Sequence, residues 1–288
     1  MTVTPDGAVA ATNLHYELPA EVFAAFLDRR MKYSCGLYEH SGVGLEEAQR
    51  AKLDWVLDAK LELRPGQRLL DVGCGWGSLV LHAAERGNEV VGVTPSLPQR
   101  DYILRRAAER GLSGRVDIRL GRFTALDLGD ESFDAVSMIG SIGHMPDHGE
   151  ALSRAYRGLR THGRLYLSES CFRNRKALAR FRATAGFRYV RDEIFGFGEM
   201  VPLSDLVAAA EDAGFSIVGL SDLTAHYPRT IADWAANAEH ARATIEGILP
   251  GTTDRLLRYF EISAAGFGYT TKHYAVAARK SRMGSLRL

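Results

Sequence analysis

From Arg68 onward the apolar positions fall into short continuous runs separated by stripes of helical spacing. Runs such as RLLDV (68–72), EVVGV (89–93) and FDAVSMI (133–139) are the length of strands and apolar on both faces, as in a buried sheet. The pattern predicts strand 68–72, helix 76–86, strand 89–93, helix 97–110, strands 115–120 and 133–139, helix 147–160 and strand 163–169. It continues with helix 203–213, strand 215–223, helices 230–249 and 253–265, and a closing strand 270–278. Alternation of this kind predicts an α/β fold: a mainly parallel sheet with helices on both faces.

Two amphipathic helices precede the first strand. Leu18 to Arg30 aligns Val22, Phe23, Phe26 and Leu27, and Leu45 to Leu61 aligns Ala48, Leu53, Val56 and Leu57 before Pro65 and Gly66. They lie outside the alternating run, so they are expected to cap the sheet. The chain is expected to form one domain over 16–280, with a helical cap at 16–66 and an insert at 171–202. Residues 1–15 and the tail 281–288 read as disordered.

The insert is unusual in charge. Arg173, Arg175, Lys176, Arg180, Arg182, Arg188 and Arg191 place seven cations in nineteen residues, interleaved with Phe172, Phe181, Phe187, Tyr189, Phe195 and Phe197. A solvated helix face accounts for such a run; so does a lid whose guanidinium groups grip an anionic head group such as a diphosphate. Elsewhere charge is balanced. The 288 residues carry a net charge of +1, 46% hydrophobic and 25% charged residues. That balance gives no global field for nucleic acid or an anionic membrane. No apolar run reaches the length of a membrane span, and the N-terminus lacks a signal-peptide layout. Three cysteines without metal-ligand spacing point to a reducing compartment, hence a cytoplasmic location, and no metal site is assigned. The chain is open to homo-oligomerisation.

Candidate chemistry begins at RLLDVGCGWG (68–77). A strand breaks into a glycine turn and then a helix. Gly73 and Gly75 remove side chains where backbone meets ligand, and the helix start offers N–H groups to an anion. Asp71 supplies an acceptor for an ammonium or a ribose. The spacing is GxGxG, an Asp precedes the first glycine, and the next strand ends at Thr94, which favours S-adenosylmethionine over a dinucleotide. Gln99 lies early in the next helix, Phe123 follows the third strand as either a cover for a purine or ordinary core packing, and Ile139 closes the fourth strand. Ligands of open α/β sheets bind beyond the strand C-termini, so Ser141 to His144 and Ser168 to Ser170 should face the site. His144 reads as a base or a polar wall. Glu169, a carboxylate ending a central strand, reads as a catalytic group or a hydrogen-bond hub.

Taken together, YSCGLY (33–38), LEEAQRAKL (45–53), RPG (64–66), LLDVGCGWG (69–77), VVGVTPSLPQ (90–99) and HYPRTIADW (226–234) resemble the cyclopropane fatty acid and mycolic acid cyclopropane synthase family of S-adenosylmethionine-dependent methyltransferases. The resemblance covers nearly the whole chain. It implies a seven-stranded sheet of order 3-2-1-4-5-7-6, and cofactor contacts from Tyr33, Ser34, Gly73, Gly75, Thr94 and Gln99, with Phe123 near the adenine. Family members bind a bicarbonate ion that takes the proton released on ring closure. By resemblance its ligands are Cys35, Tyr227, a Glu where this chain has Gly143, and a His where it has Ser168. Two of the four ligands are replaced, and Glu169 stands next to one replacement.

These departures imply a C-methyltransferase acting on an alkene. The double bond attacks the sulfonium methyl, leaving a cation that Tyr33, Tyr189, Phe195, Phe197 and Tyr227 can stabilise. Glu169 removes a proton, assisted by His144 or Tyr227, and the product is a methylated alkene. The Arg cluster (Arg173, Arg182, Arg188 and Arg191) suggests a small isoprenoid diphosphate, with Mg²⁺ bridging its phosphates. Two other readings stand beside this one: cyclopropanation of an unsaturated acyl chain with Cys35 and Tyr227 holding an anion, and a cyclase that keeps the cofactor without transferring methyl. Partners are then a small alkene, with no nucleic acid and no integral membrane contact.

Overall fold

The protein was analysed as a computed structural model describing residues 18–183 and 200–281. Seven strands form one sheet: β1 (Arg68–Val72), β2 (Glu89–Thr94), β3 (Val116–Leu120), β4 (Phe133–Ile139), β5 (Leu159–Phe172), β6 (Phe215–Asp222) and β7 (Thr271–Lys280). Their order is β3-β2-β1-β4-β5-β7-β6, the order expected from sequence. Strands β1 to β5 pair in parallel, and β7 runs antiparallel between β5 and β6. Strand order reverses at β1, running outward to β2 and β3 on one side and to β4 and β5 on the other, and this switch point opens a crevice at the C-terminal ends of β1 and β4, where such sheets bind ligands.

Each face of the sheet has its own apolar core. On one face Leu69, Leu79, Val80, Ile103 and Tyr166 pack with Leu53 and Leu57. On the other Leu70, Val72, Val136, Leu152 and Leu167 pack with Leu206 and Phe215. Alternate residues of β1 thus enter opposite cores, as the period of two demands. Helices α1 (Ala20–Phe26) and α2 (Leu45–Trp55) precede the sheet. Helix α3 (Ser78–Glu85) follows β1, α4 (Leu97–Glu109) follows β2 and α5 (His148–Gly158) follows β4. Helix α6 (Arg175–Arg182) opens the insert, and α7 (Leu203–Asp212) leads into β6. Helices α8 (His226–His240), α9 (Arg242–Ile248) and α10 (Thr252–Tyr269) lie between β6 and β7. They join α1 in a third core of Val22, Phe23, Phe26, Trp76, Trp234 and Phe260, which covers the cofactor end of the sheet.

Several element boundaries differ from the sequence expectation. The second helix ends at Trp55 and continues as a π turn over Val56–Lys60. The first helix stops at Phe26 because Leu27 is extended, at ψ 171, ahead of the left-handed Met31 at φ 58. Strand β5 begins four residues early and skips register between Phe133 and Ala135, with His162 at φ 70 absorbing the bulge. It also runs on to Phe172, so the insert opens at 173 rather than 171, and its base is pinned where the Phe172 N–H donates to the Val201 carbonyl at 3.1 Å. The expected single helix 230–249 is two, breaking at Ala241. No described helix is long and apolar enough to cross a membrane. The readings of 1–15 and of Phe187, Arg188, Tyr189, Arg191, Phe195 and Phe197 lie outside the described residues.

Candidate active site

A cavity of about 250 Å³ opens at the C-terminal ends of β1, β2 and β4. Its floor is Gly73 to Trp76, its sides are Thr94 to Ser96 with Gln99, and Phe123, Ile139, Ser141 and His144 close the far end. Met31, Lys32 and Tyr33 form the wall nearest the cap. Of the cofactor residues expected from sequence, Tyr33, Gly73, Gly75, Thr94, Gln99, Phe123 and Ile139 meet here.

The local sequence explains the shape. Gly73 adopts φ +73, and its N–H and that of Cys74 both donate to the Val93 carbonyl, at 2.9 and 3.0 Å. A Cβ on Gly73 would lie 2.4 Å from Ser141 Cβ, and Ser141 is tied down by a 2.6 Å hydrogen bond to the Val72 carbonyl. Gly75 differs. It also has positive φ, +54, but a Cβ there would meet no protein atom within 4 Å. Its missing side chain leaves open space on the cavity floor, a cradle that fits an approaching ligand. Ser96 caps α4 by accepting from the Gln99 N–H, and the Thr94 hydroxyl donates to Gln99 Oε1 at 2.7 Å, fixing both side chains at the second strand end. Tyr33 is held edge-on by Phe23 at 5.5 Å and against Trp234 at 4.9 Å.

Two expected contacts lie behind this wall. Ser34 is buried and accepts from Lys52 Nζ at 2.7 Å. Asp71 is buried and accepts from the Ser137 hydroxyl at 2.7 Å. Neither lines the cavity: Asp71 precedes the outward turn after Val72, and Ser34 is drawn toward α2 by Lys52 and Gln49. Sequence reasoning passed over Trp76 and Lys32, which do line it. Trp76 was legible within GWG; Lys32 carried no periodic signal.

The catalytic candidates divide. His144 lines the cavity, and burial lowers its imidazole below the usual range, so it is neutral at pH 7. Cys35 is buried, and its thiol is pushed up to about 11 by burial, which keeps it protonated. Tyr227 stacks on Phe267 at 4.2 Å and presents its face or edge to His273 at 4.9 Å. His273, absent from the sequence reading, is a buried imidazole whose Nδ1 lies 3.3 Å from Ser170 Oγ.

Glu169 is the most informative group. Its Oε2 accepts from the Gly143 N–H at 3.0 Å and its Oε1 from the Ser170 N–H at 2.9 Å. Burial raises its carboxyl to about 7, against the lowering effect of those two backbone donors. A Cβ on Gly143 would sit 3.2 Å from the Glu169 carboxyl carbon. Gly143 is not in the left-handed region, so packing against this carboxylate is what its missing side chain serves. The carboxylate thus occupies the space in front of position 143, the position at which the resemblance puts a glutamate. Of the described head-group candidates, Arg173 and Arg182 are exposed and neither lines the cofactor cavity. Among the described residues no cluster of His, Cys, Asp or Glu is arranged to hold a metal ion.

Residues 4–274 match the family model of mycolic acid cyclopropane synthetase. The S-adenosylmethionine-dependent methyltransferase UmaA of Mycobacterium tuberculosis is 34% identical over 236 residues, covering 78% of this chain and 80% of that protein. The cyclopropane synthase MmaA2 of Mycobacterium tuberculosis superposes with a TM-score of 0.86 at 27% identity, covering 97% of this chain and 100% of that one. Mycolic acid cyclopropane synthase CmaA1, complexed with S-adenosylhomocysteine and CTAB, superposes with a TM-score of 0.85 at 27% identity, covering 94% and 98%.

Proposed function

The chain belongs to the mycolic acid cyclopropane synthetase family of S-adenosylmethionine-dependent methyltransferases, and from that premise we propose that it methylates an alkene carbon and releases a methylated alkene, with Glu169 as the base. The observation that carries this reading is the Glu169 carboxylate in the space before Gly143.

When bound, the cofactor supplies an electrophilic methyl group on a sulfonium. The cavity floor at Gly73 and Gly75, the Thr94–Gln99 pair and Phe123 fit such a ligand and would hold it. The acceptor double bond gives its electron pair to form the new C–C bond as the S–C bond breaks, leaving a cation on the neighbouring carbon. Tyr33 and Tyr227 offer aromatic faces to that cation. Glu169 takes one proton from the carbon beside it, and the C–H pair restores the double bond. Two backbone donors hold the carboxylate in place, and its raised value puts the base close to neutral pH, where general bases work best.

The anionic head group of the acceptor is read from the arginine run at 173–191. A small prenyl diphosphate matches its charge; Arg188 and Arg191 lie outside the described residues. The second reading, cyclopropanation of an unsaturated acyl chain, is favoured by the names of the relatives and by the retention of Cys35 and Tyr227. The test is turnover against prenyl diphosphates and unsaturated acyl chains, with products separated by mass. A ring formed on an acyl chain would replace the first reading with the second.

Glu169 also sets a pH dependence. The base must be ionised, so kcat/KM should rise about tenfold per pH unit below pH 7 and level off above it. Gly143→Ala puts a methyl group against the carboxylate and stretches the Gly143 N–H bond that favours its ionised form. The acid limb should then move upward by about half a pH unit or more. A pH–rate profile of both proteins checks this; an unmoved limb in Gly143→Ala means that Glu169 is not the titrating base.

A further inference from the structure

We infer that Lys32 is the residue that takes the α-carboxylate of S-adenosylmethionine. The inference rests on reading the cavity as the cofactor site.

Lys32 is only 8% exposed, yet it lines the cavity beside Gly73 to Trp76. Its backbone is pinned on both sides. The N–H donates to Asp28 Oδ1 at 2.8 Å, and the carbonyl accepts from Gln49 Nε2 at 3.4 Å. The preceding Met31, at φ 58 and bonded to the Asp28 carbonyl, turns the chain inward. The side chain is therefore committed to the interior. Among the described residues, its ammonium group makes no hydrogen bond or ion pair.

A lysine buried without a contact partner is costly, and burial lowers its proton affinity. Asp71 is the negative charge acting on it most strongly, followed by Asp28. Neither comes within ion-pair distance, and Asp71 is already engaged by Ser137. The ammonium thus keeps its donors free while two carboxylates hold its charge from behind. A ligand that brings an anion to this wall completes the pair. On S-adenosylmethionine the anionic group is the α-carboxylate, and the amino acid end of the cofactor belongs at the Gly73–Gly75 turn. Lys32 stands on the cavity wall and Asp71 lies behind it, so of the two only the cation is placed to meet the amino acid end of the ligand.

The experiment is calorimetric titration of the full chain with S-adenosylhomocysteine and with S-adenosyl-3-thiopropylamine, which lacks the carboxylate. In the wild type the first ligand should bind about thirtyfold more tightly, the worth of a charge-assisted hydrogen bond. In Lys32→Met and Lys32→Gln that ratio should fall close to one, while the affinity for the decarboxylated ligand stays within about threefold of the wild type. Lys32→Arg should keep most of the ratio. A ratio unchanged in the Met and Gln variants overturns the inference, as does an equal loss for both ligands, which would mark Lys32 as a balance to Asp28 and Asp71. If the wild type bound neither ligand, the cofactor reading would fall as well.

Discussion

Glu169→Gln is expected to lower kcat by about a hundredfold to ten-thousandfold, the usual worth of a positioned general base, and to leave cofactor affinity unchanged. Glutamine keeps the volume of the side chain, and its carbonyl can still accept from Gly143 or Ser170, so the loop keeps its shape. What disappears is an ionisable oxygen. The remaining turnover should lose the acid limb near pH 7 that the Glu169 carboxyl carries. Stability gives an independent reading. The folded carboxyl stands at about 7 against an ordinary value of 4.5, so the unfolded chain releases this proton more readily. Stability is therefore highest below pH 4.5 as far as this group is concerned, declines as pH rises to 7, and is flat above it. Glutamine removes that penalty. The variant should be more stable than the wild type at pH 8, by about 3 kcal/mol at most, and equal to it at acid pH. Denaturant unfolding at both pH values, alongside steady-state kinetics, checks the pair of effects. Full turnover in Glu169→Gln would remove the base assignment.

The second large effect is expected at the glycine turn. Gly73→Ala forces a residue with a Cβ into φ +73 and drives that atom to 2.4 Å from Ser141 Cβ. The left-handed conformation alone costs about 1–2 kcal/mol. The contact adds more, because Ser141 is fastened to the Val72 carbonyl and cannot swing aside. The loop must move, and with it the N–H groups that bond to Val93. Loss of about 3 kcal/mol of stability and of at least about a hundredfold in cofactor affinity is the expected result. Gly75→Ala separates the causes. It carries the same backbone strain at φ +54 but meets no protein atom. Stability should fall by only about 1–2 kcal/mol, while affinity still drops because the methyl group stands on the cavity floor. Thermal unfolding and titration with S-adenosylhomocysteine distinguish the two variants. Equal behaviour in both would show that strain alone governs the turn.

The sheet was legible because its strands are short apolar runs and its helices amphipathic, so type and order follow from period. Several residues lining the cavity were legible for a related reason. Gly73, Gly75, Thr94, Gln99 and Phe123 all lie just past strand ends, and position after a strand predicts proximity to the crevice. Glu169 stood out as a carboxylate at the expected end of a central strand, although β5 runs on to Phe172. The misses have physical causes. The helix break at Ala241 contains neither Gly nor Pro, so the apolar stripe runs through it unbroken. The early start of β5 depends on a bulge at His162, a non-glycine residue at positive φ that no propensity marks. Lys32 and His273 are polar residues whose burial is decided by chain packed against them: the Asp28 and Gln49 side chains pin the backbone of the first, and Ser170 lies beside the second. Ser34 was expected at the ligand but is turned inward to Lys52, a partner eighteen residues away that only the packing of α2 brings near.

The most direct test of the central claim is turnover with cofactor carrying a trideuterated methyl group, with the product read by mass. If Glu169 takes a proton from the carbon beside the cation, the new methyl group keeps all its deuterium, and the product is an open-chain methylated alkene. Ring closure would instead remove one deuteron from the transferred methyl, leaving two in a cyclopropane. Full retention is the predicted result, and a ring product with one deuteron lost would contradict the account.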